Sequence, residues 1–214
     1  AATGKPIGES LPTDRMMGNL LAVDGALYSI DATNVSKFPD LEQSRGIAKE
    51  QLARNANDIQ ALARLAWLES QEKNWKQAVA LLDRAQKASS APQATGGAAV
   101  DEPLADRINH QRIVAMLNLA AESPAGERKK LLEVSRDSAT HAEDRLVTTL
   151  ALCDQLDESG EHSRAFLEGL DMLGAVGDET IELEPGVTAR GAVAIRELLH
   201  RTWRKSSNAQ RAEM

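Results

Sequence analysis

Aromatic residues and cysteine are scarce in this sequence. Only 3% of its 214 residues are aromatic, and valine and isoleucine are sparse beside alanine and leucine. This composition suits close-packed helices better than a large sheet, and 42% hydrophobic residues are enough for a core. The lone Cys153 excludes a disulfide within the chain but does not identify a compartment. The composition therefore favours an α protein.

The common motifs of nucleotide-binding and hydrolytic enzymes are also missing. The sequence has no GxxxxGK[ST] phosphate loop, no GxGxxG, no GxSxG and no HExxH. Its four histidines are far apart in sequence, and there is no Cys-x-x-Cys pair. We therefore predict no catalytic residue, no cofactor and no metal site, and a protein that is not an enzyme.

Charge and hydropathy exclude two further kinds of partner. The net charge of −7 argues against general attraction to nucleic acid, although a local basic patch remains an alternative. No apolar run approaches the ~20 residues that span a bilayer, so we predict no direct membrane insertion. The sequence begins AATGK without an initiator Met. We therefore expect a processed or excised piece of a longer protein, in which an absent signal peptide carries little weight.

The N-terminal part has the pattern of a β-hairpin. Residues 18–31, GNLLAVDGALYSID, place two short apolar runs on either side of Asp24-Gly25, a dipeptide that favours a tight turn. From residue 41 the apolar residues recur at helical spacing, which predicts a helix over 41–54 with Asp40 as its N-cap. The helical region begins there.

The most informative stretch is 59–88, IQALARLAWLESQEKNWKQAVALLDRAQKA. It predicts helices near 58–71 and 74–88, with Asn57 or Asp58 capping the first. Small residues at Ala66, Ala78 and Ala85 would let the two helices approach closely, with bulky residues filling the space between them. This pattern predicts an antiparallel helix hairpin.

Two more hairpins and a final helix follow. Residues 89–102 are rich in Ser, Gly, Pro and Ala and predict a flexible insertion. Helical periodicity breaks at 123–126 and again at 159–160, and Gly126 and Gly160 are 34 residues apart, which is the tetratricopeptide (TPR) period. On that spacing Leu119 and Cys153 take the position of Ala66. A segment containing Ile181 and Leu183 is a loop or a strand, and an amphipathic helix is predicted over about 190–204.

These elements predict a mainly α protein of seven or eight helices. We expect a β-hairpin over 1–38, a helical repeat domain over 39–205 with the insertion at 89–102, and a tail over 206–214. The hairpin at 59–88 resembles a TPR in its three alanines, its leucine pair Leu62 and Leu65, and Asn74-Trp75 in place of the usual Gly-x-Tyr. The later hairpins follow the period but depart from the signature, since Gly169 stands where an aromatic is usual. The resemblance implies a TPR-like α-α superhelix.

The opening residues AATGKPIG are similar to the end of a repeat of bacterial β-propellers of the pyrroloquinoline-quinone (PQQ) type, and LLAVDGALYSID resembles a blade strand pair. The tryptophan of that repeat is absent, Gly8 lying near its place. The whole resembles the C-terminal region of PQQ-like-repeat proteins that join a propeller to helical repeats. This resemblance implies a blade without implying bound quinone, and a periplasmic or cell-envelope location.

On the TPR register, the first helix of each hairpin lines a groove that binds a protein or peptide. The predicted groove positions are Gln60, Ala63, Trp67, Ser70 and Gln71 in the first hairpin, and Val147, Leu150, Asp154 and Asp157 in the third. Trp67 would anchor a bound peptide. The alternative is that Trp67 packs on the helix 41–54 or on the β-hairpin.

Three other groups of residues each have a functional and a structural interpretation. The acidic cluster Asp154, Asp157, Glu158, Glu161 and His162 would bind a hard cation or a basic peptide, or is a solvated helix end. Cys153 is a nucleophile or a small residue at a helix contact. The basic run Arg201, Arg204 and Lys205 near Trp203 is a phosphate or RNA site, or the polar face of the last helix. We favour the structural interpretation of each.

The sequence thus predicts a non-enzymatic scaffold for protein interaction or assembly, appended to a PQQ-like propeller. One alternative is the tail of a quinoprotein oxidoreductase whose catalytic propeller lies upstream. Another is a structural spacer without a groove partner. The sequence does not identify the partner.

Overall fold

The computed structural model describes residues 19–23, 26–30, 35–38, 40–90, 102–176, 178, 180–184 and 187–214. By their internal contacts, the residues form two units, Ala1–Ile47 and Ala48–Met214. The described residues are mainly helical, with short strands at the N-terminus, so the predicted fold class is confirmed. The predicted boundary after residue 38 falls at the end of a strand and stays a prediction.

The first unit contains a three-stranded antiparallel sheet. Its strands are β1 (Asn19–Val23), β2 (Ala26–Ile30) and β3 (Val35–Phe38), in the order β1-β2-β3. The register pairs Val23 with Ala26, while the predicted turn residues Asp24 and Gly25 lie outside the described residues. The predicted hairpin is therefore present, and β3 extends it.

Helix α1 (Leu41–Arg54) crosses the boundary between the units and has the predicted bounds. The backbone N–H of Gln43 donates to Oδ1 of Asp40 at 2.6 Å, as expected of an N-cap. Helices α2 (Ile59–Gln71) and α3 (Trp75–Ser90) form the first hairpin. Asp58 caps α2 by accepting from the N–H of Ala61 at 3.0 Å.

The remaining elements continue the helical pattern. They are α4 (Glu102–Glu122), α5 (Ala125–Ser138), α6 (Ala142–Glu158), α7 (His162–Val176), α8 (Gly191–Lys205) and α9 (Asn208–Glu213), with β4 (Thr180–Glu184) antiparallel to β5 (Val187–Arg190) between α7 and α8.

Of the two alternatives for the segment with Ile181 and Leu183, a loop or a strand, the structure has the strand, β4. Two predicted boundaries need correction. The predicted tail contains α9, which begins with a capping box formed by Ser207 and Gln210. Helix α3 extends to Ser90 and α4 begins at Glu102, while the rest of the predicted insertion lies outside the described residues.

Consecutive helices from α2 to α8 pack against one another in sequence order. Alternate helices also touch, since α2 contacts α4, α4 contacts α6, and α6 contacts α8. This second set of contacts is what stacked helix hairpins produce when the first helices of successive hairpins share one layer. We call α2, α4, α6 and α8 the inner helices.

Three buried clusters stabilise this arrangement. The first joins α1, α2, α3 and α4 and includes Ala66, Ala78 and Ala85, each completely buried. The predicted role of these alanines as close helix contacts is confirmed. The second cluster joins α4 to α8 around Leu152 and Leu156. The third joins α6, α7 and α8 around Leu146 and Ile195.

Two helix turns have the same backbone geometry. Lys73 and Gly160 adopt positive φ angles of 60° and 76°, each two residues before the next helix. The N–H of Asn74 donates to Glu69 O, and that of Glu161 to Leu156 O, both at 2.9 Å, the bond of a Schellman cap. Since the two turns are 87 residues apart, Ala66 and Cys153 are equivalent, as predicted.

Gly126 does not have the predicted role. It lies in the first turn of α5 instead of the turn between helices, and a Cβ added to it would meet nothing within 4 Å. Leu119, predicted to match Ala66, is half-buried, whereas its neighbour Ala120 is almost fully buried. The 34-residue spacing of the two glycines is therefore not a structural repeat.

Gly169 has a packing role on α7. A Cβ at this position would lie 3.1 Å from methyl carbons of both Leu198 and Leu199 on α8. An aromatic residue, usual at this position of a TPR, would prevent α8 from packing where it does. Within the described ranges, no helix combines the length and apolar character of a membrane-spanning segment.

Candidate functional site

The candidate interaction surface lies on α2, the first of the inner helices in chain order and so one end of their layer. Gln60, Arg64, Trp67 and Gln71 follow one another at helical spacing, so they form one stripe along the helix. Gln60, Arg64 and Gln71 are exposed, and Trp67 is half-buried. We call these four residues the α2 face.

Trp67 belongs partly to the core. It packs against the first buried cluster, which includes Ala48 of α1, while part of its side chain stays accessible. Ala63 and Ser70, also predicted to line the groove, are half-buried, and the Ser70 hydroxyl donates to the Ala66 carbonyl at 2.9 Å. Arg64 was not among the predicted groove residues. Its position, four residues after Gln60 and three before Trp67, nevertheless places it on the same side of α2.

The predicted groove does not continue over the C-terminal half of α6, because α8 covers it. Asp157 is buried, with its side chain only 1% exposed. Lys205 donates to its Oδ2 at 3.2 Å, and Arg201 Nε lies 3.7 Å from the same oxygen. Asp154 is exposed but bound by Arg201. The prediction that Asp157 faces a peptide is therefore wrong. Val147 and Leu150, earlier on α6, are half-buried.

The charge state of Asp157 follows from these partners. Burial acts to raise the pKa of the carboxyl group, but the hydrogen bonds with His162 and Lys205 act against it and lower the pKa below its ordinary value. His162 Nδ1 lies 3.0 Å from Asp157 Oδ1. Asp157 therefore joins α6, the start of α7 and the end of α8 in one charged contact.

The rest of the acidic cluster is paired as well. Lys129 donates to both oxygens of Glu161, at 2.6 and 2.7 Å. Arg128 lies 3.8 Å from Glu158. Among the residues that the structure describes, no group of three His, Cys, Asp or Glu side chains is arranged to hold a metal ion. In the acidic cluster, Asp154 and Asp157 are bound by Arg201 and Lys205 of the basic run. The two groups, treated separately in the sequence, therefore neutralise each other in part.

Cys153 has the environment of a structural residue. It is completely buried, and its Sγ lies 3.3 Å from the Ala165 carbonyl oxygen that accepts its hydrogen bond. Burial, reinforced by the nearby carboxylates of Glu168 and Asp154, raises the pKa of the thiol to about 12. The thiol is therefore protonated at neutral pH and serves as a small residue in the α6–α7 contact.

Two histidine–aspartate pairs join α4 to the start of α6. His110 Nδ1 lies 2.8 Å from Asp144 Oδ1, and His141 Nε2 lies 3.5 Å from Asp106 Oδ1. Asp144 is buried, whereas both histidines are exposed. No local sequence pattern indicates these pairs, because each joins residues about 35 positions apart. They connect two inner helices.

A polar cavity of about 590 Å³ lies between α5, α6 and α7. Arg136 forms part of its lining and donates to Glu168 at 2.6 Å. Burial acts to lower the pKa of Arg136, but its hydrogen bonds with Asp137 and Glu168 raise it. The buried hydroxyl of Thr149, which also lines the cavity, has no hydrogen-bond partner among the described residues.

Comparison of the chain with protein-family models, curated proteins and solved structures finds no significant match.

Proposed function

We propose that this chain is a non-enzymatic scaffold for protein interaction or assembly, and that a protein or peptide partner binds the α2 face. The contacts between alternate helices, α2 with α4, α4 with α6 and α6 with α8, are the main support. Such contacts hold the inner helices in fixed positions. A partner that binds a preformed surface avoids the entropy of ordering it.

The chemistry of the α2 face supports the same proposal. Tryptophan and arginine contribute most of the binding energy at many protein interfaces. Trp67 supplies an accessible part of an aromatic ring, and Arg64 has no ion pair or hydrogen bond with another described residue. Gln60 and Gln71 at the two ends of the stripe add donors and acceptors for a polar rim.

We further propose that this scaffold is appended to a PQQ-like β-propeller. A propeller blade is a small antiparallel sheet of four strands. The antiparallel order β1-β2-β3 supports the interpretation of the first unit as part of such a blade. Leu21 and Val23, on one side of β1, are 50% and 42% exposed, so this sheet presents apolar residues that a neighbouring blade would bury.

A charge-reversal pair tests the scaffold proposal. Arg64→Glu changes the α2 face, and Lys130→Glu makes the same change of charge at an exposed position on α5. Each full-length variant and the wild type would be immobilised, and the proteins captured from the source cells would be quantified by mass spectrometry. We expect partners that bind the wild type and Lys130→Glu equally and are lost with Arg64→Glu. Equal capture by all three would contradict the α2 face as the binding surface, and no specific capture by any of them would favour a structural spacer.

A further inference from the structure

The end of the helical array is basic, although the chain as a whole is acidic. Residues 190–213 contain six Lys or Arg and two acids, Glu197 and Glu213, whereas the net charge of the chain is −7. Arg201 and Lys205 are already bound by carboxylates of α6. Four cations then remain against two carboxylates, so this end of the array has an excess of positive charge.

The exposed side of α8 combines part of this charge with apolar side chains. Val193 and Trp203 are 49% and 42% exposed. The guanidinium groups of Arg196 and Arg204 are exposed too, and neither forms an ion pair or hydrogen bond with any residue in the described part of the chain. Helical spacing places these residues on one side of α8. We call this stripe the α8 surface, which comprises Val193, Arg196, His200, Trp203 and Arg204.

The apolar part of the α8 surface continues onto α7. The rings of Phe166 and Trp203 have centroids 5.9 Å apart. Leu170, one turn after Phe166 and on the same side of α7, is 46% exposed. A helix that only capped a repeat array would have a polar outer side. The exposed apolar side chains on these two adjacent helices therefore indicate an interaction surface.

The surroundings of Trp203 disfavour nucleic acid as the partner. The guanidinium of Arg211 lies over the indole ring, 5.3 Å from its centroid, and Phe166 lies against the same ring. The indole is therefore not free to stack on a base, as the aromatic residues of single-strand-binding sites are. The net charge of −7 also opposes the approach of a long polyanion or of an anionic membrane.

From these observations we infer that the α8 surface binds an acidic segment of a partner protein that also presents apolar side chains. The apolar side chains cover Val193, Trp203 and Leu170, which removes apolar surface of both partners from water. The carboxylates pair with Arg196 and Arg204. The α8 surface and the α2 face are on different helices, so this inference does not depend on the proposed function.

The test is a titration of the full chain into a fluorescently labelled synthetic helical peptide that has leucines along one side, flanked by glutamates. Fluorescence anisotropy would report binding. We expect binding that weakens as the salt concentration rises from about 50 to about 500 mM. Peptides with serine in place of leucine, or with lysine in place of glutamate, should bind at least about tenfold more weakly.

A double charge reversal tests the arginines. Arg196→Glu combined with Arg204→Glu should weaken binding of the acidic peptide about tenfold or more. The matched control is Lys87→Glu combined with Lys130→Glu, at exposed positions on α3 and α5. The control makes the same change in net charge and should weaken binding less than about twofold, because these lysines are outside the α8 surface.

A single polar substitution tests the apolar contact. Val193→Ser should weaken binding about threefold, since it removes part of the apolar surface that the peptide covers. Val134→Ser is the matched control, because Val134 is 50% exposed on α5, and it should leave the affinity unchanged.

Four results would overturn the inference. The first is no binding of the acidic peptide, or equal binding of its serine version. The second is an equal loss of binding in the two double charge reversals, which would show general attraction only. The third is displacement of the peptide by an equal concentration of a single-stranded oligonucleotide. The fourth is a wild-type dimer, detected by sedimentation, that Arg196→Glu with Arg204→Glu dissociates, because a second copy of the chain would then occupy the surface.

Discussion

Lys205, at the end of α8, donates a hydrogen bond to the buried carboxylate of Asp157 on α6, at 3.2 Å. This contact closes the C-terminal end of the inner helices, because the same helix places Arg201 beside Asp154 and Asp157. Ile195 and Leu198 of α8 are buried beneath it. The accessible part of the inner surface is therefore at the other end, on α2.

We expect Asp157→Asn to lower the free energy of unfolding at neutral pH by about 2 kcal/mol, since it weakens hydrogen bonds to a charged group. Folding lowers the pKa of Asp157. The carboxylate therefore stabilises the folded protein fully above its ordinary pKa of about 4, and this stabilisation is lost as the pH falls through the pKa of the folded state. Urea denaturation at a series of pH values should show a shallower loss of stability in acid for the variant.

The control for this prediction is Asp154→Asn. Asp154 pairs with the same Arg201 but is exposed, so its removal should have a much smaller effect. Equal losses of stability in the two variants, with the same acid dependence as the wild type, would show that Asp157 is not the residue that links α8 to α6.

Gly169→Phe, which restores the aromatic residue usual in a TPR, should destabilise the protein by at least about 2 kcal/mol. The new side chain would overlap Leu198 and Leu199 on α8. In the same helix, Gly174→Ala meets no atom within 4 Å and should be neutral or stabilising by up to about 1 kcal/mol. Thermal melting measures both, and a stable Gly169→Phe would mean that α8 does not pack against this residue.

Ala66→Trp or Ala78→Trp should unfold the first hairpin, since both alanines are completely buried between helices. We expect a loss of at least about 3 kcal/mol, measured by circular dichroism and melting. Ala53→Trp, at an exposed position on α1, is the matched control and should change little. An unchanged melting curve for either buried substitution would show that the assigned helix contact is incorrect.

Cys153 should not react with thiol reagents in the native protein at neutral pH. Its thiol is completely buried and its pKa is raised to about 12, so the reactive thiolate is scarce. Labelling with a chromogenic disulfide should become complete only when urea unfolds the chain. Rapid labelling without urea would require an open contact between α6 and α7.

Local patterns predicted the helices more accurately than the contacts between them. The bounds of α1 follow from Asp40 and the helical spacing after it, and the buried alanines of α2 and α3 follow from their small size at close contacts. The turn between α2 and α3 follows from the predicted helices near 58–71 and 74–88, whereas the positive φ angle of Lys73 was not predicted. In these segments, local sequence and tertiary packing favour the same structure.

The site was less predictable, because it depends on contacts between residues distant in sequence. Asp157 has the spacing of a groove residue, but whether it is accessible depends on α8, which follows about 40 residues later. The spacing of Gly126 and Gly160 matched a repeat period by coincidence. Pro124 is the N-cap of α5, so Gly126 lies inside the helix and not in the turn before it. The pairing of His110 with Asp144 has no sequence signal.

The most direct test of the proposed function is photo-crosslinking at single positions of the full chain in its source cells. A photoreactive amino acid would replace Gln60 or Gln71 on the α2 face, and Val134, 50% exposed on α5, as the control. We predict that Gln60 and Gln71 both yield the same crosslinked partner protein and that Val134 does not. Crosslinks of equal yield at all three positions, or none at Gln60 and Gln71, would contradict the proposal that the α2 face is the interaction surface.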